Sequence, residues 1–387
     1  MEPVKRSRIE CNYLDSVNRH LLDFDLIFAC GICLTVQNVY CCLSCGRYLE
    51  GLGSNSHAWL HSLETQHFLF INTKTGEIIC LPECCKVHED SLSDIKFNLN
   101  PEFVSADIQK IYESPQQNRS LTGHSYIIGL VPVNDLKTSA YLSSIVYIFT
   151  SIQELRMSLL LNHFSGLTEQ LAGVVKKMHN KNNFKSHVCP HELFHIISVL
   201  SNGKFGANKK GDPQMFLQWL VNQLKEENYL KRLIRQSIEG KLSCKGVKKR
   251  FFLLKIDLPT ASPFTNTEES MKVHLKDLVN SYLHNQSISI IKYPKYLILF
   301  LSKFKHNKFF IEKNKFSVIF DLDLKLPDST YTLINVVALD SDPKEKNYFT
   351  NTLHINKWYQ IHNLSVTAIP ESQVCQSDAY ILVYSIN

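Results

Sequence analysis

The spacing of apolar residues changes character along the chain near Arg250. Between Thr138 and about Leu224, apolar residues recur every three or four positions, which is the period of a helix with one buried face. Two stripes show this spacing: Leu167, Leu171, Val174, Val175 and Met178, then Phe216, Leu217, Leu220, Val221 and Leu224. The second stripe follows Asp212-Pro213, a pair typical of a helix cap and first turn. We therefore predict a block of helices around a common core.

After Arg250 the chain is rich in β-branched and aromatic runs that are bounded by proline, aspartate or asparagine, which is typical of strands. The predicted strands are Phe251–Ile256, Tyr296–Leu301, Leu333–Val337 and Tyr380–Tyr384. A helical block followed by a strand block predicts an α+β domain.

Composition narrows the class of protein. With 387 residues, 44% of them apolar, the chain can bury cores in two or three domains. Apolar runs such as Ile145–Phe149 are too short to cross a bilayer, and the charged start Glu2–Arg8 is unlike a signal peptide. We therefore expect a reducing compartment, in which the 12 cysteines are thiols or metal ligands. The basic cluster Lys5-Arg6-Ser7-Arg8 fits either a nuclear import signal or an exposed tail.

The strongest chemical signal is Cys42-Leu43-Ser44-Cys45, which is followed by His61 and His67. A Cys-x-x-Cys turn brings two thiolates to one Zn²⁺, and the two histidines can complete a tetrahedron. Four protein ligands leave no position open for water, so we predict a structural zinc ion held by Cys42, Cys45, His61 and His67.

A second ligand set is also indicated. Cys30-Gly31-Ile32-Cys33 and His57 supply three ligands, and Glu50 and Cys41 are the available choices for a fourth. Whether this second zinc site forms stays open at this point. The remaining cysteines of this region are expected to be ordinary buried thiols: Cys11, Cys80, Cys84 and Cys85.

The ligand pattern resembles the ubiquitin-protease-type zinc finger, with its Cys-Leu-x-Cys-Gly, His-Ala-x-x-His and final His. In that family a Cys-Gly-Arg segment supplies another zinc ligand and an arginine that grips the C-terminal tail of ubiquitin. This chain has Glu50-Gly51-Leu52 there. Because leucine cannot make the bidentate contact of a guanidinium to a carboxylate, the resemblance implies zinc without ubiquitin binding by the finger.

Downstream, the chain resembles ubiquitin-specific proteases in segments that follow the family's order. The matching segments are 135–141, 211–217, 293–304, 346–348 and 358–363. This resemblance implies a papain-like domain with a helical thumb, fingers and a β-rich palm. We predict a tail over 1–10, the finger over 11–100, a linker over 101–124 and the protease-like domain over 125–387. A short helical pattern through Ile108, Ile111 and Tyr112 is predicted from Asn100 onwards, within the first part of the linker.

At each position that aligns with a catalytic residue of the family, this chain has a residue that cannot perform the family's catalytic step. The nucleophile's position holds Ala140 and the general base's position holds Asn347, which has no titratable proton near neutral pH. His362, beside Asn363, stands for the orienting carboxylate, and Asp135 would repel an oxyanion. Lys137 replaces a glycine in the path of the substrate tail. We therefore predict a chain without catalytic residues.

A displaced nucleophile is the alternative to this prediction. A cysteine near Tyr141 cannot take the nucleophile's place, because no cysteine lies between Cys85 and Cys189. The remaining candidate is a displaced Cys/His pair formed by Cys189 and His191. We favour Cys189 as the residue before a helix that buries Leu193, Ile197 and Leu200.

The fingers carry a different signal. They offer only Cys244, within the basic run 241–250, so shortened and metal-free fingers are expected. A solvated loop is favoured for this run over a contact with RNA or an acidic protein.

Further sequence segments resemble one branch of the superfamily, the inactive ubiquitin-protease-like splicing factors of the U4/U6–U5 tri-snRNP. They are Tyr13–Arg19, Leu22–Asp25, Asn38–Leu43, Lys185–Glu192 and Leu254–Thr260. The resemblance implies a nuclear, non-enzymatic scaffold that supports the assembly or maintenance of this particle. Its implied partners are spliceosomal proteins, including the unwinding helicase, with small nuclear RNA nearby and no membrane. The alternative is a pseudo-deubiquitinase that reads ubiquitin or a ubiquitin-like protein as a signal.

Overall fold

The computed structural model describes residues 11–387 except 115, 137, 207–208, 245, 260–271, 286–287, 307–310, 315 and 341–346. The predictions that concern the basic tail and Lys137 therefore lie outside the described residues.

The first domain is built on a five-stranded antiparallel sheet in the order β2-β1-β3-β4-β5. Its elements are β1 Val39–Cys42, β2 Tyr48–Glu50, α1 His57–Thr65, β3 Leu69–Asn72, β4 Ile78–Cys80, β5 Cys85–Val87 and α2 Ser93–Leu99. Successive side chains of a strand point to opposite faces. Leu69 and Ile71 of β3 accordingly enter one core, while Phe70 enters a second core with Ala58 of α1. The sheet is thus buried on both faces.

The second domain begins with helices, as the apolar period predicts. Its first elements are α3 Ser105–Glu113, β6 Gln117–Arg119, β7 Ser125–Ile127, α4 Ala140–Ser151, α5 Gln153–Leu161, α6 Gly166–Met178, α7 His191–Leu200, α8 Pro213–Leu224 and α9 Asn228–Ser237. Both predicted stripes, on α6 and α8, are buried. Asp212 caps α8 as predicted, because its side chain accepts hydrogen bonds from the backbone N–H groups of Gln214 and Met215.

The strand block follows. Its elements are β8 Gly240–Cys244, β9 Val247–Phe251, β10 Leu254–Asp257, β11 Lys272–His274, α10 Leu275–Asn285, β12 Ile288–Lys292, β13 Tyr296–Ser302, β14 Phe304–His306, β15 Ile311–Lys313, β16 Ser317–Ile319, β17 Asp323–Leu326, β18 Ser329–Leu339, β19 Tyr348–His354, β20 Lys357–His362, β21 Ser365–Ile369, α11 Glu371–Cys375 and β22 Ala379–Ile386. The main sheet has eight strands in the order β10-β13-β22-β18-β19-β20-β21, with β17 paired to β18. The α+β prediction is confirmed.

This sheet separates two cores. On β22, Ile381 and Val383 face the core that the helices share, whereas Leu382 and Tyr384 face the core that contains α10. Helix α4 is buried from Ala140 to Thr150 and packs against β18, β19, α6 and α8. A helix that is apolar on all sides is expected at such a central place. The start of α4 therefore lies within the packed domain.

Three local predictions need correction. The run Phe251–Ile256 is two strands, because β9 ends at Phe251 and pairs with β8, whereas β10 starts at Leu254 and pairs with β13. Leu200 is 46% exposed, because it is the last residue of α7, while Leu193 and Ile197 are buried. In the basic run 241–250, residues 241–244 and 247–250 lie in the paired strands β8 and β9 rather than in a loop.

The stretch 101–124, predicted as a linker, contains the strand β6 as well as α3, which confirms the short helical pattern predicted there. Ile108 and Ile111 of α3 are buried in the core of the second domain. The division of the chain into domains stays a prediction, with structured chain already present at Ser105.

The two domains contact each other through polar groups. The Nζ atom of Lys177 on α6 donates to the carbonyl oxygen of Phe24 at 2.7 Å and to Oδ1 of Asp25 at 2.8 Å. Nearby, the amide of Asn180 donates to Oδ1 of Asn98 at 3.0 Å, and both asparagines are buried. These bonds join the finger to α6 and the loop that follows it.

Within the described ranges, no single helix is both long and apolar enough to cross a membrane. The pair α4 and α5 passes this test by length and composition only, and it is bent by 95°.

Candidate functional site

The four predicted zinc ligands come together in the finger. The ligand atoms of Cys42, Cys45, His61 and His67 all lie within 4.8 Å of one another. Sγ of Cys45 is 3.4 Å from Nε2 of His61, which is 3.2 Å from Nδ1 of His67. Tetrahedral zinc with ordinary bond lengths needs ligand separations of about 3.3–3.8 Å, so the donor set fits a zinc ion.

Local backbone geometry presents these ligands. Gly46 closes the Cys42–Cys45 turn at φ +73°, and its N–H donates to the carbonyl oxygen of Cys42 at 2.8 Å. A Cβ atom at Gly46 would lie 2.1 Å from the carbonyl oxygen of Leu21, so only glycine fits. His61 projects from α1, and the helix ends at Thr65 before His67. The two thiols and two imidazoles are thereby brought to one point from a turn and from a helix with the loop after it.

The surroundings of this cluster shift the pKa values of its two thiols in opposite directions. The hydrogen bond with Cys42 lowers the pKa of the Cys45 thiol, and His67 lowers it further, against the opposing effect of burial. The same bond raises the pKa of Cys42. A thiolate, which is the form that binds zinc, is thus favoured at Cys45.

Cys30, Cys33 and His57 form a second cluster, with ligand atoms within 4.8 Å of one another. Sγ of Cys30 is 3.4 Å from Nδ1 of His57. Burial raises the pKa of Cys30, but the backbone N–H groups of Cys33 and Ile32 lower it to about 7. This second set also fits a metal cation.

The structure separates the two candidates for the fourth ligand of the second cluster. Oε2 of Glu50 is 3.8 Å from Nδ1 of His57. Cys41 instead lies in the core of the finger, where burial raises the pKa of its thiol to about 12. Glu50 is therefore the candidate that the geometry favours.

A third cluster, not predicted from the sequence, joins Cys80, Glu83 and Cys85, with ligand atoms within 4.8 Å of one another. Cys80 and Cys85 are register partners across the β4–β5 hairpin, and Sγ of Cys85 is 4.0 Å from Oε2 of Glu83. Two cysteines at the ends of a four-residue turn were the available signal. The prediction of four buried thiols is therefore correct only for Cys80: Cys84, within that turn, is exposed, and Cys11 and Cys85 are partly exposed.

The segment that would hold the ubiquitin-gripping arginine has a different role here. Leu52 packs against the core that contains Ala58, and its carbonyl oxygen accepts a hydrogen bond from the thiol of Cys84 at 3.7 Å. Its side chain offers no donor to a carboxylate.

The start of α4 holds the residues of the predicted lost catalytic centre. Ala140, the first residue of α4, is 5% exposed. The hydroxyl of Ser143 on the next turn donates to Oδ1 of Asp135. Burial raises the pKa of Asp135 to about 6, while Ser143 and His362 lower it. The methyl group of Ala140 and the carboxylate of Asp135 therefore lie at the N-terminal end of α4.

The opposite side of this cleft is formed by the strands β19 and β20. Nε2 of His362, at the end of β20, is 3.3 Å from Oδ2 of Asp340. The backbone N–H of Asp340 donates to the carbonyl oxygen of Asn347 at 3.0 Å. Asn347 thus lies directly before β19, and His362 is the last residue of β20. The imidazole lies beside a carboxylate from a third segment.

Cys189 lies two residues before the first residue of α7, as favoured from the sequence, and Pro190 is the cap residue between them. Its backbone N–H donates to Oδ2 of Asp25 at 3.2 Å. Burial raises the pKa of its thiol, and the charge of Asp25 raises it further. Reactive cysteines have a lowered pKa, so this environment is that of an unreactive thiol.

Two family models match the chain. One, described as ubiquitin carboxyl-terminal hydrolase, matches residues 132–384. The other, described as a Zn-finger in ubiquitin-hydrolases and other proteins, matches residues 30–92. Together they cover both domains and include the clusters at Cys42 and Cys30 and the start of α4.

Individual relatives match over almost the full chain. "Probable mRNA-splicing protein ubp10" of Schizosaccharomyces pombe is 29% identical, and the match covers 96% of this chain and 88% of that protein. Pre-mRNA-splicing factor SAD1 of Saccharomyces cerevisiae is 26% identical, with 99% and 95% covered. The crystal structure of an essential yeast splicing factor superposes with a TM-score of 0.87 at 26% identity, covering 97% of this chain and 99% of that one.

Proposed function

The chain belongs to the ubiquitin carboxyl-terminal hydrolase family, and we propose that it is a non-enzymatic member that acts as a pre-mRNA splicing factor. The observation that carries this proposal is the full-length similarity to splicing proteins, with a TM-score of 0.87 to one solved structure. A shared protease fold alone would not distinguish splicing from hydrolysis. The function named for these relatives and the residues of the cleft both support splicing rather than hydrolysis.

The cleft supports the absence of hydrolysis. Loss of the nucleophile alone costs a serine protease about a million-fold in turnover, or roughly 8 kcal/mol of barrier. Here Ala140 has no nucleophilic atom, and Asn347 cannot accept a proton near neutral pH. Asp135 places a carboxylate where negative charge would develop. Nucleophile, base and oxyanion stabilisation are all replaced, so the fold acts through binding rather than through a reaction.

Zinc serves the fold in this proposal. Cys42, Cys45, His61 and His67 hold one structural ion, since four protein ligands complete its tetrahedron. Cys30, Cys33, His57 and Glu50 hold a second ion. Bound zinc would supply folding free energy to a small sheet domain and no reaction.

The setting we propose is the nucleus, where the chain supports assembly or maintenance of the tri-snRNP. Its partners are spliceosomal proteins, the unwinding helicase among them. The direct test is affinity purification of the tagged chain from cells that express it, with sequencing of the bound RNA. Recovery of U4, U5 and U6 small nuclear RNAs is the expected result. A purification that yields ubiquitin conjugates and no small nuclear RNA would overturn the proposal in favour of a ubiquitin reader.

A further inference from the structure

The hairpin β8–β9 and the strand β12 form a three-stranded antiparallel sheet in the order β12-β8-β9. One row of register partners crosses all three strands and consists of cations alone. Lys292 of β12 stands opposite Lys241 of β8, which stands opposite Arg250 of β9. All three are exposed. Lys292 is distant in sequence from the basic run, so only the fold places it in the row.

The next row on the same face adds a fourth cation. Ser289, Ser243 and Lys248 are register partners there, and on β8 and β9 side chains two positions apart share a face. On β12 the register shifts between Ile290 and Lys292, so Lys292 pairs with Lys241 instead of continuing the face of Ile290. The opposite face carries Leu242 and Ile290, which pack into a core. We call the set Lys241, Lys248, Arg250 and Lys292 the basic face.

The basic face has no carboxylate partner: none of its four cations belongs to an ion pair found among the described residues. Glu239, the acidic residue just before β8, is paired with Lys225. Neighbouring strands are about 4.8 Å apart, and like charges directly opposite each other destabilise a sheet. The fold therefore holds four positive charges together at a cost that an anionic ligand would offset.

We propose that the basic face binds the phosphate backbone of RNA, an inference that rests on the proposed function in splicing. Stable protein interfaces depend on buried aromatic or aliphatic anchors. The two rows of this face contain only cations and serines. Ile291 lies between these rows at the register shift of β12, but it is 49% exposed and is therefore not a buried anchor. Contacts to nucleic-acid phosphates need only positioned cations and hydroxyl or N–H donors. A polyanionic backbone fits this surface better than an acidic protein does.

The geometry also defines the kind of RNA binding. No aromatic side chain stands in these rows to stack on a base, so binding is independent of sequence. Such binding weakens with salt by a slope of about 0.7 per phosphate contact for a single strand. Four contacts therefore give a slope of roughly −3 in a plot of log K against log salt concentration.

The test is fluorescence anisotropy of the full chain with a labelled 20-nucleotide RNA of mixed sequence, over a series of salt concentrations. The variant Lys248→Gln/Arg250→Gln removes two charges from the basic face. Its matched control, Lys249→Gln/Lys325→Gln, removes two exposed charges that lie elsewhere: Lys249 is on the same strand as Lys248 but on the other face, and Lys325 is on β17.

We expect the basic-face variant to bind about 10- to 50-fold more weakly near 0.1 M salt, with a slope reduced by about 1.5. The control should change affinity less than about threefold, since its charges lie outside the contacts. Lys292→Gln, on another strand, should reduce the slope by about half as much as the double variant. Because these side chains are exposed and their like charges destabilise the sheet, the variants should melt at a temperature no lower than that of the wild type.

Equal losses in the variant and the control would overturn the inference. So would tighter binding of polyglutamate than of RNA, which would identify an acidic protein as the partner. The outcome is separable from the proposed function. Small nuclear RNAs that co-purify equally with wild type and variant would leave the splicing role intact while removing the basic face from it.

Discussion

The hydroxyl of Ser143 donates a hydrogen bond to the carboxylate of Asp135, and this pair lies at the start of α4. Asp135 stands where the family resemblance implies an oxyanion-stabilising group. Here the side chain accepts a hydrogen bond from α4 instead of donating one toward a substrate. The contact ties the loop before α4 to the helix.

The charge of Asp135 should make stability depend on pH. Burial raises its pKa to about 6 from 3.8, so the folded chain binds this proton more tightly than the unfolded chain. The stability cost of ionisation is therefore absent below about pH 4 and develops fully above about pH 6. We predict that Asp135→Asn is more stable than wild type by about 1–3 kcal/mol at pH 8 and equally stable near pH 4.

Chemical unfolding of both proteins at a series of pH values checks this prediction. Ser143→Ala is the control for the lost hydrogen bond, and it should destabilise the chain at all pH values. A stability difference between Asp135→Asn and wild type that stays constant from pH 4 to pH 8 would show that the carboxyl titrates normally.

The first zinc cluster should bind one ion of its own. We expect Cys45→Ser to lose one zinc ion per chain, measured by elemental analysis, because the thiolate is a direct ligand. The finger should also lose amide protection in β1, since metal binding contributes to folding. Cys84→Ser is the matched control, because this exposed thiol belongs to none of the clusters. An unchanged zinc content in Cys45→Ser would contradict the assignment.

Glu50 should be the fourth ligand of the second cluster. Glu50→Ala is predicted to weaken that zinc at least tenfold, measured by competition with a chromogenic chelator, because a ligand oxygen near His57 is lost. Glu64→Ala, which removes an exposed carboxylate of the same finger, should leave both ions in place. Equal chelator resistance of Glu50→Ala and wild type would exclude a carboxylate ligand.

The contact between the domains should contribute measurably to stability. Lys177→Met removes hydrogen bonds to Phe24 and Asp25 and leaves the Asp25 carboxylate half-buried without its cation. We predict a loss of about 1–3 kcal/mol in the free energy of unfolding. The exposed Lys181→Met should cost less than about 0.5 kcal/mol. Additive effects of Lys177→Met and Asp25→Asn would show that the two side chains do not interact.

Much of this architecture follows from local sequence patterns. The stripe from Leu167 to Met178 is buried on α6, because a 3.6-residue period fits only one helical face. Asp212 caps α8, since its short side chain reaches the free N–H groups of the first turn. The Cys42–His67 ligands also converge as predicted, because the Cys-x-x-Cys spacing already fixes a tight turn.

The remaining features depend on tertiary pairing that local patterns do not encode. Phe251–Ile256 reads as one strand but serves two sheets. Cys80 and Cys85 meet only through the register of their hairpin, and Lys292 joins the basic face only because β12 pairs with β8. At these positions, strand pairing between segments that are separated in the sequence therefore determines the structure.

The central claim, that the fold persists without its reaction, is tested most directly with a fluorogenic ubiquitin C-terminal substrate. We predict no release of fluorophore above the buffer rate by the purified wild-type chain. Ala140→Cys should be equally inactive, because Asn347 cannot serve as a base and Asp135 opposes an oxyanion. Turnover by the wild-type chain that is abolished in Cys189→Ala would contradict the account, since it would reveal a working nucleophile elsewhere in the chain.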